Sequence, residues 1–248
     1  MKSNGKVYLV GGGPGDPGLL TLKGKRCLEQ CDVVVYDALV NPELLRHCPP
    51  HTEKIFAGKR RRRHALEQSQ INALIVKLGR EGKTVCRFKG GDPFMFGRGG
   101  EEAEALSRAK IPYEVVPGVS SVTGAPATAG IPLTHRKYAS HVTVVTGQNS
   151  ELGAERGWEA YRFMPKKTLV ILMGYTNAEK IAKKLMALGW PASTPAALIC
   201  SGTLPAQTVI TGRLRAFTDK VRKNRKRLSA PGMIIVGDVV GLRRNEFV

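Results

Sequence analysis

A glycine-rich block, Gly90–Glu102 with the sequence GGDPFMFGRGGEE, is the segment of the chain best suited to chemistry. It follows an apolar run typical of a strand and leads into a stretch typical of a helix. Its five glycines allow a ligand to approach the backbone closely, because glycine has no Cβ. Pro93 biases Asp92 toward an extended conformation. Open α/β sheets bind small molecules at such strand-loop-helix corners, so the block predicts a ligand site.

A second glycine-rich loop, residues 11–18 (GGGPGDPG), follows the first apolar run. From residue 13 it satisfies the pattern G-x-G-x-x-G, and Asp37 ends the next predicted strand, as in NAD(P)-dependent oxidoreductases. Pro14 and Pro17 lack the N–H groups that a pyrophosphate would need there. We interpret the match as accidental and keep an NAD(P)-dependent oxidoreductase as the alternative from a different class.

Asp37 is the carboxylate that the pattern places at the carboxyl end of a strand. A carboxylate there could accept a proton from a substrate or stabilise a developing positive charge. Local sequence alone favours equally a capping role at the turn into Asn41-Pro42-Glu43. Both interpretations stay open on these residues.

The chain of 248 residues carries a formal net charge of +19, which predicts an anionic partner. The charge concentrates in Lys59–His64 and Arg213–Arg227. Nucleic acid, an acidic membrane or a polyanionic small molecule would all fit, and a solvated surface is the alternative. Few aromatic residues are available for stacking and no RNA-binding module is recognisable, so we predict no nucleic-acid partner.

Several functional classes are disfavoured by composition. No apolar run approaches the ~20 residues of a membrane helix, and the first residues do not have the pattern of a signal peptide, so we expect a cytoplasmic protein without a membrane partner. Five cysteines without a C-x-x-C pair disfavour a disulfide framework. The segment His47-Cys48-Pro49-Pro50-His51 only weakly resembles a metal site, and we predict no metal.

The positions of the apolar runs predict the elements that must hold these residues. Strand-like and helical runs alternate in the first half, which predicts a mainly parallel sheet covered on both faces. We place one α/β domain at residues 1–117 and a second at 118–248. The second contains the adjacent runs Ala196–Cys200 and Gln207–Thr211, whose short connection predicts antiparallel pairing and a mixed sheet.

A series of motifs in a fixed order adds a resemblance to a known family. The motifs VGGGPGDPGLLTLKG, VVVYDALV, GKRRRRH, GGDPFMFGRGGEE, VVPGVSS, GIPLTHR, VTG and VILMG extend over nearly the whole chain, from Val7 to Val240. Together they resemble the uroporphyrinogen-III C-methyltransferases of the tetrapyrrole methylase superfamily, which are class III S-adenosylmethionine-dependent methyltransferases. GPGDP is shared across the superfamily, whereas GGDPFMFGRGGEE and GIPLTHR are closer to this member.

The resemblance implies a homodimer with two α/β domains and S-adenosylmethionine bound in the cleft between them. It implies transfer of methyl groups to carbons 2 and 7 of uroporphyrinogen III, a polyanionic tetrapyrrole. The product would be precorrin-2, formed via precorrin-1, for sirohaem and cobalamin biosynthesis. S-Adenosylhomocysteine would be the by-product.

The resemblance also assigns roles residue by residue. Asp37 matches the family's proposed general base and Lys59 its proposed proton donor. The positions that match cofactor contacts are Pro14, Gly90, Gly91, Asp92, Met95, Ser120, Ser121, Met173 and Gly202. The side chains expected to bind the carboxylates of the substrate are Arg61, Arg62, Arg63, Arg98, His135 and Arg136.

Departures from the family pattern lie around the presumed substrate rather than the cofactor. Ala38 stands where the family has arginine after the aspartate, and Arg61–Arg63 add positive charge. Lys137 replaces an acid, and Cys200-Ser201-Gly202 replaces Glu-Asn-Gly. A methyltransferase of the same fold that acts on a later precorrin or on RNA therefore stays as the nearest alternative.

Overall fold

The computed structural model describes residues 5–58, 66–147 and 161–243. The chain divides into two compact units, Met1–Ser121 and Val122–Val248. Each unit is built around its own five-stranded sheet. The α/β class predicted for both halves is confirmed.

The sheet of the first unit has the strand order β3-β2-β4-β1-β5, and every pairing in it is parallel. This confirms the mainly parallel sheet that the alternation of strands and helices predicts. The strands are β1 (Val7–Gly11), β2 (Val33–Tyr36), β3 (Glu53–Phe56), β4 (Val85–Lys89) and β5 (Tyr113–Val116). The helices between and after them are α1 (Leu22–Glu29), α2 (Gln68–Arg80) and α3 (Gly99–Arg108).

Burial on both faces explains why these strands are nearly continuous apolar runs. Side chains alternate along β4, so Val85 packs on one face with Ile75 of α2 and Leu106 of α3. Cys86 and Phe88 pack on the opposite face, in a separate cluster that also includes Leu28 of α1. Arg87 and Lys89 share the face of Val85, toward α2 and α3.

The segment before β2 is less helical than the sequence predicts. Helical spacing over Leu19–Gln30 predicts one helix, but a 3₁₀ turn at Pro17–Leu19 comes first. The backbone is then extended at Leu20, and α1 begins only at Leu22. Thr21 explains the restart, because its hydroxyl accepts the N–H of Gly24 as a helix N-cap.

The sheet of the second unit has the order β6-β7-β10-β8-β9. β6 pairs with β7 in parallel, whereas the pairs that involve β10 and the β8–β9 pair are antiparallel. The mixed sheet and the antiparallel pair are thus confirmed. The elements are α4 (Ser121–Thr128), β6 (His141–Thr146), β7 (Lys167–Leu172), α5 (Ala178–Ala187), β8 (Pro195–Cys200), β9 (Thr208–Arg213), α6 (Leu214–Lys223) and β10 (Gly232–Val236).

Three further observations bear on the expectations from composition. All five cysteines are buried free thiols. No helix within the described ranges is long and apolar enough to cross a membrane. Among those same residues, no group of three His, Cys, Asp or Glu side chains could hold a metal ion.

Candidate active site

The carboxyl edge of the first sheet gathers the loops that follow β1, β2 and β4. Because β4 lies between the other two strands, the segments that leave them are neighbours. The N–H of Asp37, just after β2, donates to the carbonyl of Phe88 at 3.3 Å. On the other side of β4, the N–H of Gly12 donates to the carbonyl of Lys89 at 2.7 Å.

Two glycines join the loops after β1 and β4 at this edge. The N–H of Gly13 donates to the carbonyl of Gly91 at 3.2 Å, and the N–H of Gly91 donates back at 2.7 Å. Both residues have positive φ, +79° and +67°, which glycine adopts without strain. A Cβ added to Gly91 would meet nothing nearer than the backbone nitrogen of Ser121, at 3.9 Å. Bare backbone therefore borders open space here.

A third backbone segment closes in tightly at Gly118, which follows β5. An added Cβ there would lie 2.3 Å from the carbonyl oxygen of Gly91 and 2.7 Å from backbone atoms of Gly11. Asp92 holds this segment, because its Oδ2 accepts the N–H of Gly118 at 3.1 Å and its Oδ1 accepts that of Phe94 at 2.9 Å. Both carboxylate oxygens of Asp92 thus bind backbone, and its ribose contact stays a prediction.

The loop that contains Pro14 is held from the side of β2. The amide of Asn41 donates to the carbonyl of Gly15 at 2.8 Å, while its oxygen accepts the N–H of Glu43 at 3.0 Å. A dinucleotide site needs a helix N-terminus directly behind the glycine loop. Here a 3₁₀ turn follows and α1 starts only at Leu22, which disfavours that alternative.

The remainder of the glycine-rich block exposes large apolar side chains. Phe94, Met95 and Phe96 are all exposed, and Phe96 and Arg98 have φ near +55°. Such left-handed residues cost energy and concentrate at functional loops. The guanidinium of Arg98 donates two hydrogen bonds to Glu101, at 2.8 and 2.7 Å. The charge of Arg98 is therefore already paired at the start of α3.

Beneath Asp37 lies a cluster of opposite charges, formed by Asp37, Arg87, Lys89 and Glu102 and called here the buried ion cluster. Asp37 keeps 27% of its side chain exposed, whereas the other three side chains expose 4% or less. Nη2 of Arg87 lies 2.7 Å from Oδ1 and 2.9 Å from Oδ2 of Asp37. Nζ of Lys89 lies 3.6 Å from Oδ2 of Asp37. The Asp37 carboxylate is thus held by two buried cations.

Glu102 of α3 binds the same two cations from the interior. Its Oε1 accepts hydrogen bonds from Nε of Arg87 at 2.8 Å, from Nζ of Lys89 at 3.0 Å and from Nε2 of Gln68 at 3.2 Å. Its Oε2 is buried and has no hydrogen-bond partner among the described residues. Arg87 also donates to the carbonyl of Val35 at 3.3 Å, which fixes the guanidinium against β2.

The pKa values of the two cations follow from this arrangement. Burial lowers the pKa of Lys89 below its ordinary value, and the adjacent Arg87 lowers it further against the opposing effect of the carboxylates. Burial also opposes the charge of Arg87. The carboxylates of Glu102 and Asp37 outweigh that effect and raise the pKa of Arg87. Arg87 is therefore the permanent cation of the cluster, and Lys89 the more easily neutralised one.

In the second unit, Met173 and Gly202 follow β7 and β8. Both strands are antiparallel to the intervening β10, so their carboxyl ends lie at the same edge. Met173 is exposed and has φ of +56°. Gly202 stands between Ser201 and Thr203, which have φ of +49° and +70°. Three non-glycine residues in the left-handed region at one edge indicate a functional site.

The predicted residues His135 and Arg136 lie in a tight turn of the second unit. His135 and Ala139 exchange backbone hydrogen bonds at 2.9 and 2.8 Å, and the His135 ring lies 4.9 Å from that of Tyr138. Nδ1 of His135 accepts the N–H of Lys137 at 3.1 Å, whereas Arg136 is exposed. These contacts give His135 a structural role in the turn, and leave the Arg136 side chain on the surface.

The remaining predicted residues divide into two groups. Ser120 and Ser121 are half-buried, and Ser121 is the first residue of α4. Lys59, Arg61, Arg62 and Arg63 lie outside the described residues. The structure therefore brings Asp37, Pro14 and Gly90–Asp92 to one edge, and Met173 and Gly202 to one edge of the other sheet.

Arg87, Lys89 and Glu102 are functional candidates that the motifs do not reveal. A signal was present: Arg87 and Lys89 interrupt the apolar run of β4 at alternate positions. A strand that is buried on both faces has no exposed position for a cation. Because side chains alternate along a strand, Arg87 and Lys89 lie on the same face of the sheet. Buried charges there require partners of opposite charge. Only the partner, Glu102, needed the tertiary structure to be identified.

Similarity to known proteins identifies the family of the chain. Residues 6–218 match the family model described as tetrapyrrole (corrin/porphyrin) methylases. A siroheme synthase from Nitrosomonas eutropha is 48% identical over 240 residues, which cover 97% of this chain and 50% of that protein. The chain spans about half the length of the curated relatives it matches.

Two solved structures extend the likeness to the fold. One is uroporphyrin-III C-methyl transferase from Thermus thermophilus complexed with S-adenyl homocysteine, 38% identical with a TM-score of 0.79, covering 96% of this chain and all of that chain. The other is a cobalt precorrin-4 methyltransferase, 28% identical with a TM-score of 0.81, covering 95% of each chain. The chain belongs to the tetrapyrrole methylase family.

Proposed function

We propose that this chain transfers methyl groups from S-adenosylmethionine to carbons 2 and 7 of uroporphyrinogen III. Precorrin-1 would be the intermediate and precorrin-2 the product, for sirohaem or cobalamin biosynthesis. Gly13 and Gly91, with Gly118 packed against Gly91, form what is called here the glycine corner. The observation that carries the proposal is the Asp37 carboxylate, part-exposed beside this corner and held by two buried cations. The likeness to the Thermus thermophilus enzyme over nearly the whole chain supports the choice of substrate.

The glycine corner suits the methyl donor. Gly91 presents bare backbone to open space, into which a Cβ would project, so an adenosyl group could lie against it. We propose that Pro14, Gly90, Asp92 and Met95 border the donor from the first unit. Ser120, Ser121, Met173 and Gly202 would contribute further contacts. The donor would supply a sulfonium methyl group, which is already activated, so the protein has mainly to align it.

Asp37 supplies the acid–base function that carbon methylation requires. In each transfer a sulfur–carbon bond breaks, a carbon–carbon bond forms, and the methylated macrocycle carries a positive charge until it loses a proton. A carboxylate within hydrogen-bond reach can first stabilise that charge and then take the proton. On the basis of the family resemblance, we propose Lys59 as the proton donor.

The substrate bears many carboxylates, and a basic surface would capture them. Guanidinium groups bind carboxylates bidentately, which suits Arg61, Arg62 and Arg63. Arg136 is exposed and available. Arg98 would have to exchange its bond to Glu101 for the substrate, and His135 would act from within its turn. We also propose a cytoplasmic homodimer.

The deciding experiment is an anaerobic incubation of the protein with uroporphyrinogen III and methyl-labelled S-adenosylmethionine. We expect a chromophore with the mass of the dimethylated macrocycle, and the label at carbons 2 and 7 by NMR. Asp37→Asn preserves the shape of the side chain but removes the proton acceptor. We expect it to bind S-adenosylhomocysteine normally and to lose about 10²–10⁴-fold in turnover.

Two results would contradict the proposal. Unchanged turnover in Asp37→Asn would leave that residue only a turn-forming role. Transfer to other carbons, or only to a methylated precorrin, would favour a second candidate, a methyltransferase of a later precorrin. The likeness to a cobalt precorrin-4 methyltransferase supports that candidate. Calorimetry separates both methyltransferase candidates from an NAD(P)-dependent oxidoreductase. A methyltransferase should bind S-adenosylhomocysteine, whereas an oxidoreductase should bind NADPH.

A further inference from the structure

The buried ion cluster has a feature that a single supporting salt bridge would lack: each cation contacts both carboxylates. Arg87 reaches Glu102 through Nε and Asp37 through Nη2. Lys89 has one ammonium group for two anions, 3.0 Å from Oε1 of Glu102 and 3.6 Å from Oδ2 of Asp37. The two carboxylates therefore compete for the same positive charge.

We propose that Lys89 and Glu102 are positioning residues that act on Asp37 in opposite directions. Lys89 favours the ionised carboxylate and holds its Oδ2, while Glu102 draws the Lys89 ammonium and the Arg87 guanidinium toward the interior. The Asp37 carboxylate thereby shares its two cations with Glu102. This inference deepens the proposed function and rests on Asp37 as the base.

The free-energy cost of burying charged groups favours a functional reason for the buried ion cluster. A buried ion pair is commonly no more stable than apolar side chains of the same volume, because each charge loses its hydration. Glu102 even keeps a buried oxygen without a hydrogen-bond partner among the described residues. Titratable groups arranged this way at a cleft are typical of sites that tune a catalytic group.

Among the described residues, two further charges near the cluster contribute little. Arg98 and Glu101, at the start of α3, are close enough to influence Glu102 and Lys89, but they are exposed and paired with each other. Solvent and salt screen such a pair. Arg87 remains charged in all the variants below, so it provides a constant background.

The test is the pH dependence of methyl transfer in two single variants. Lys89→Gln removes a cation beside Asp37, so the midpoint of the acidic limb of the kcat profile should rise by about 1 pH unit. Glu102→Gln removes a competing anion, so the same midpoint should fall by about half a unit. A purely structural role predicts lower activity or stability, but not shifts of opposite sign.

Control variants test whether the loss of a charge elsewhere also shifts the midpoint. Lys77→Gln and Glu81→Gln change the same types of charge in an exposed pair at the C-terminal end of α2, and both should leave the midpoint unchanged. The double variant Lys89→Gln/Glu102→Gln removes one charge of each sign, so its midpoint should lie between those of the two single variants, about half a unit above that of the wild type. If Lys89→Gln does not fold, Lys89→Met replaces it, because it needs no buried hydrogen bond.

A second readout does not depend on activity. The side-chain carboxyl carbon of Asp37 can be followed by NMR in the unliganded protein, assigned by its loss in Asp37→Asn. The titration midpoint of this carbon should rise in Lys89→Gln and fall in Glu102→Gln. Shifts of one sign, or no shift in either variant, would overturn the inference. A wild-type protein that does not methylate uroporphyrinogen III would instead refute the proposed function, and the NMR titration would still decide this inference.

Discussion

β4 and β10 occupy the same place in their sheets, the middle of five strands, yet they bury opposite kinds of side chain. Along β10 every buried residue is apolar, from Met233 to Val236. β4 buries Arg87 and Lys89 among its apolar residues, and α3 adds the buried Glu102. Both sheets are covered on both faces, so burial does not account for the difference.

The two interiors differ in what selects their side chains. An apolar centre such as β10 is what the hydrophobic effect selects. Charges at the centre require full desolvation and mutual pairing, which adds little or no stability. The charges of β4 lie directly below Asp37, at the edge where the loops form the glycine corner. The first unit therefore buries charges that add little stability directly beside the proposed base.

Among the variants that test the contrast between β4 and β10, Glu102→Ala should change the free energy of unfolding most. Removing one carboxylate leaves two buried cations with Asp37 as their remaining anionic partner, and should lower the free energy of unfolding by about 3–5 kcal/mol. Urea denaturation followed by circular dichroism measures the loss, and hydrogen exchange should show it in the peptides of β4. A loss below about 1 kcal/mol would mean that the cluster is not desolvated.

A triple variant sharpens the same prediction. Arg87→Met, Lys89→Met and Glu102→Leu together convert the β4 interior to the chemistry of β10. Without unpaired charges, the variant should recover the stability that Glu102→Ala loses, and could exceed the wild type by about 1–4 kcal/mol. Methyl transfer should nevertheless fall about 10²-fold or more, because Asp37 loses its cations. Retained turnover would contradict a role for the cluster.

A smaller effect is expected in the apolar strand. Ile234 is fully buried in β10, so Ile234→Ala should lower the free energy of unfolding by about 2–4 kcal/mol through lost burial and a cavity. The midpoint of the acidic limb of the kcat profile should stay within error of the wild type. A shift in that midpoint would show that β10, too, acts on the titrating group.

The smallest effect is a gain, at the buried hydroxyl of Thr168 in β7. Its Oγ1 is buried without a hydrogen-bond partner in the described part of the chain. Thr168→Val keeps the shape and removes the unpaired hydroxyl, so the free energy of unfolding should rise by about 1 kcal/mol. A loss on urea denaturation would show instead that the hydroxyl makes a bond that matters.

Most of the fold is predictable from periodicity. The spacing of Ile71, Ile75 and Leu78 predicts a helix over 68–80, and α2 has these bounds. Strand-like runs likewise predict β6 and β10 at His141–Thr146 and Gly232–Val236. Apolar spacing places the helix start after the first glycine loop too early, because the capping bond of Thr21 is a local choice that such spacing does not encode.

The candidate site is predictable only where residue type reveals the role. Glycines permit close backbone approach, so residue type alone identifies Gly90 and Gly91 as candidates. Asp92 carries a carboxylate that the motif directs to a ligand, whereas its oxygens bind the N–H groups of Phe94 and Gly118. Sequence spacing cannot reveal a bond between residues that are distant along the chain.

The two α/β units, the glycine corner and the position of Asp37 at a strand end can all be predicted from the sequence alone. These features follow from local rules, because the periodicity of side chains along a helix or strand and the wide range of backbone conformations open to glycine both act within a few residues. The contact of Glu102 with Arg87 and Lys89 beneath Asp37 is visible only in the folded chain. That contact depends on how α3 packs on the sheet, and the strength of a charge pair depends on distance and on excluded water.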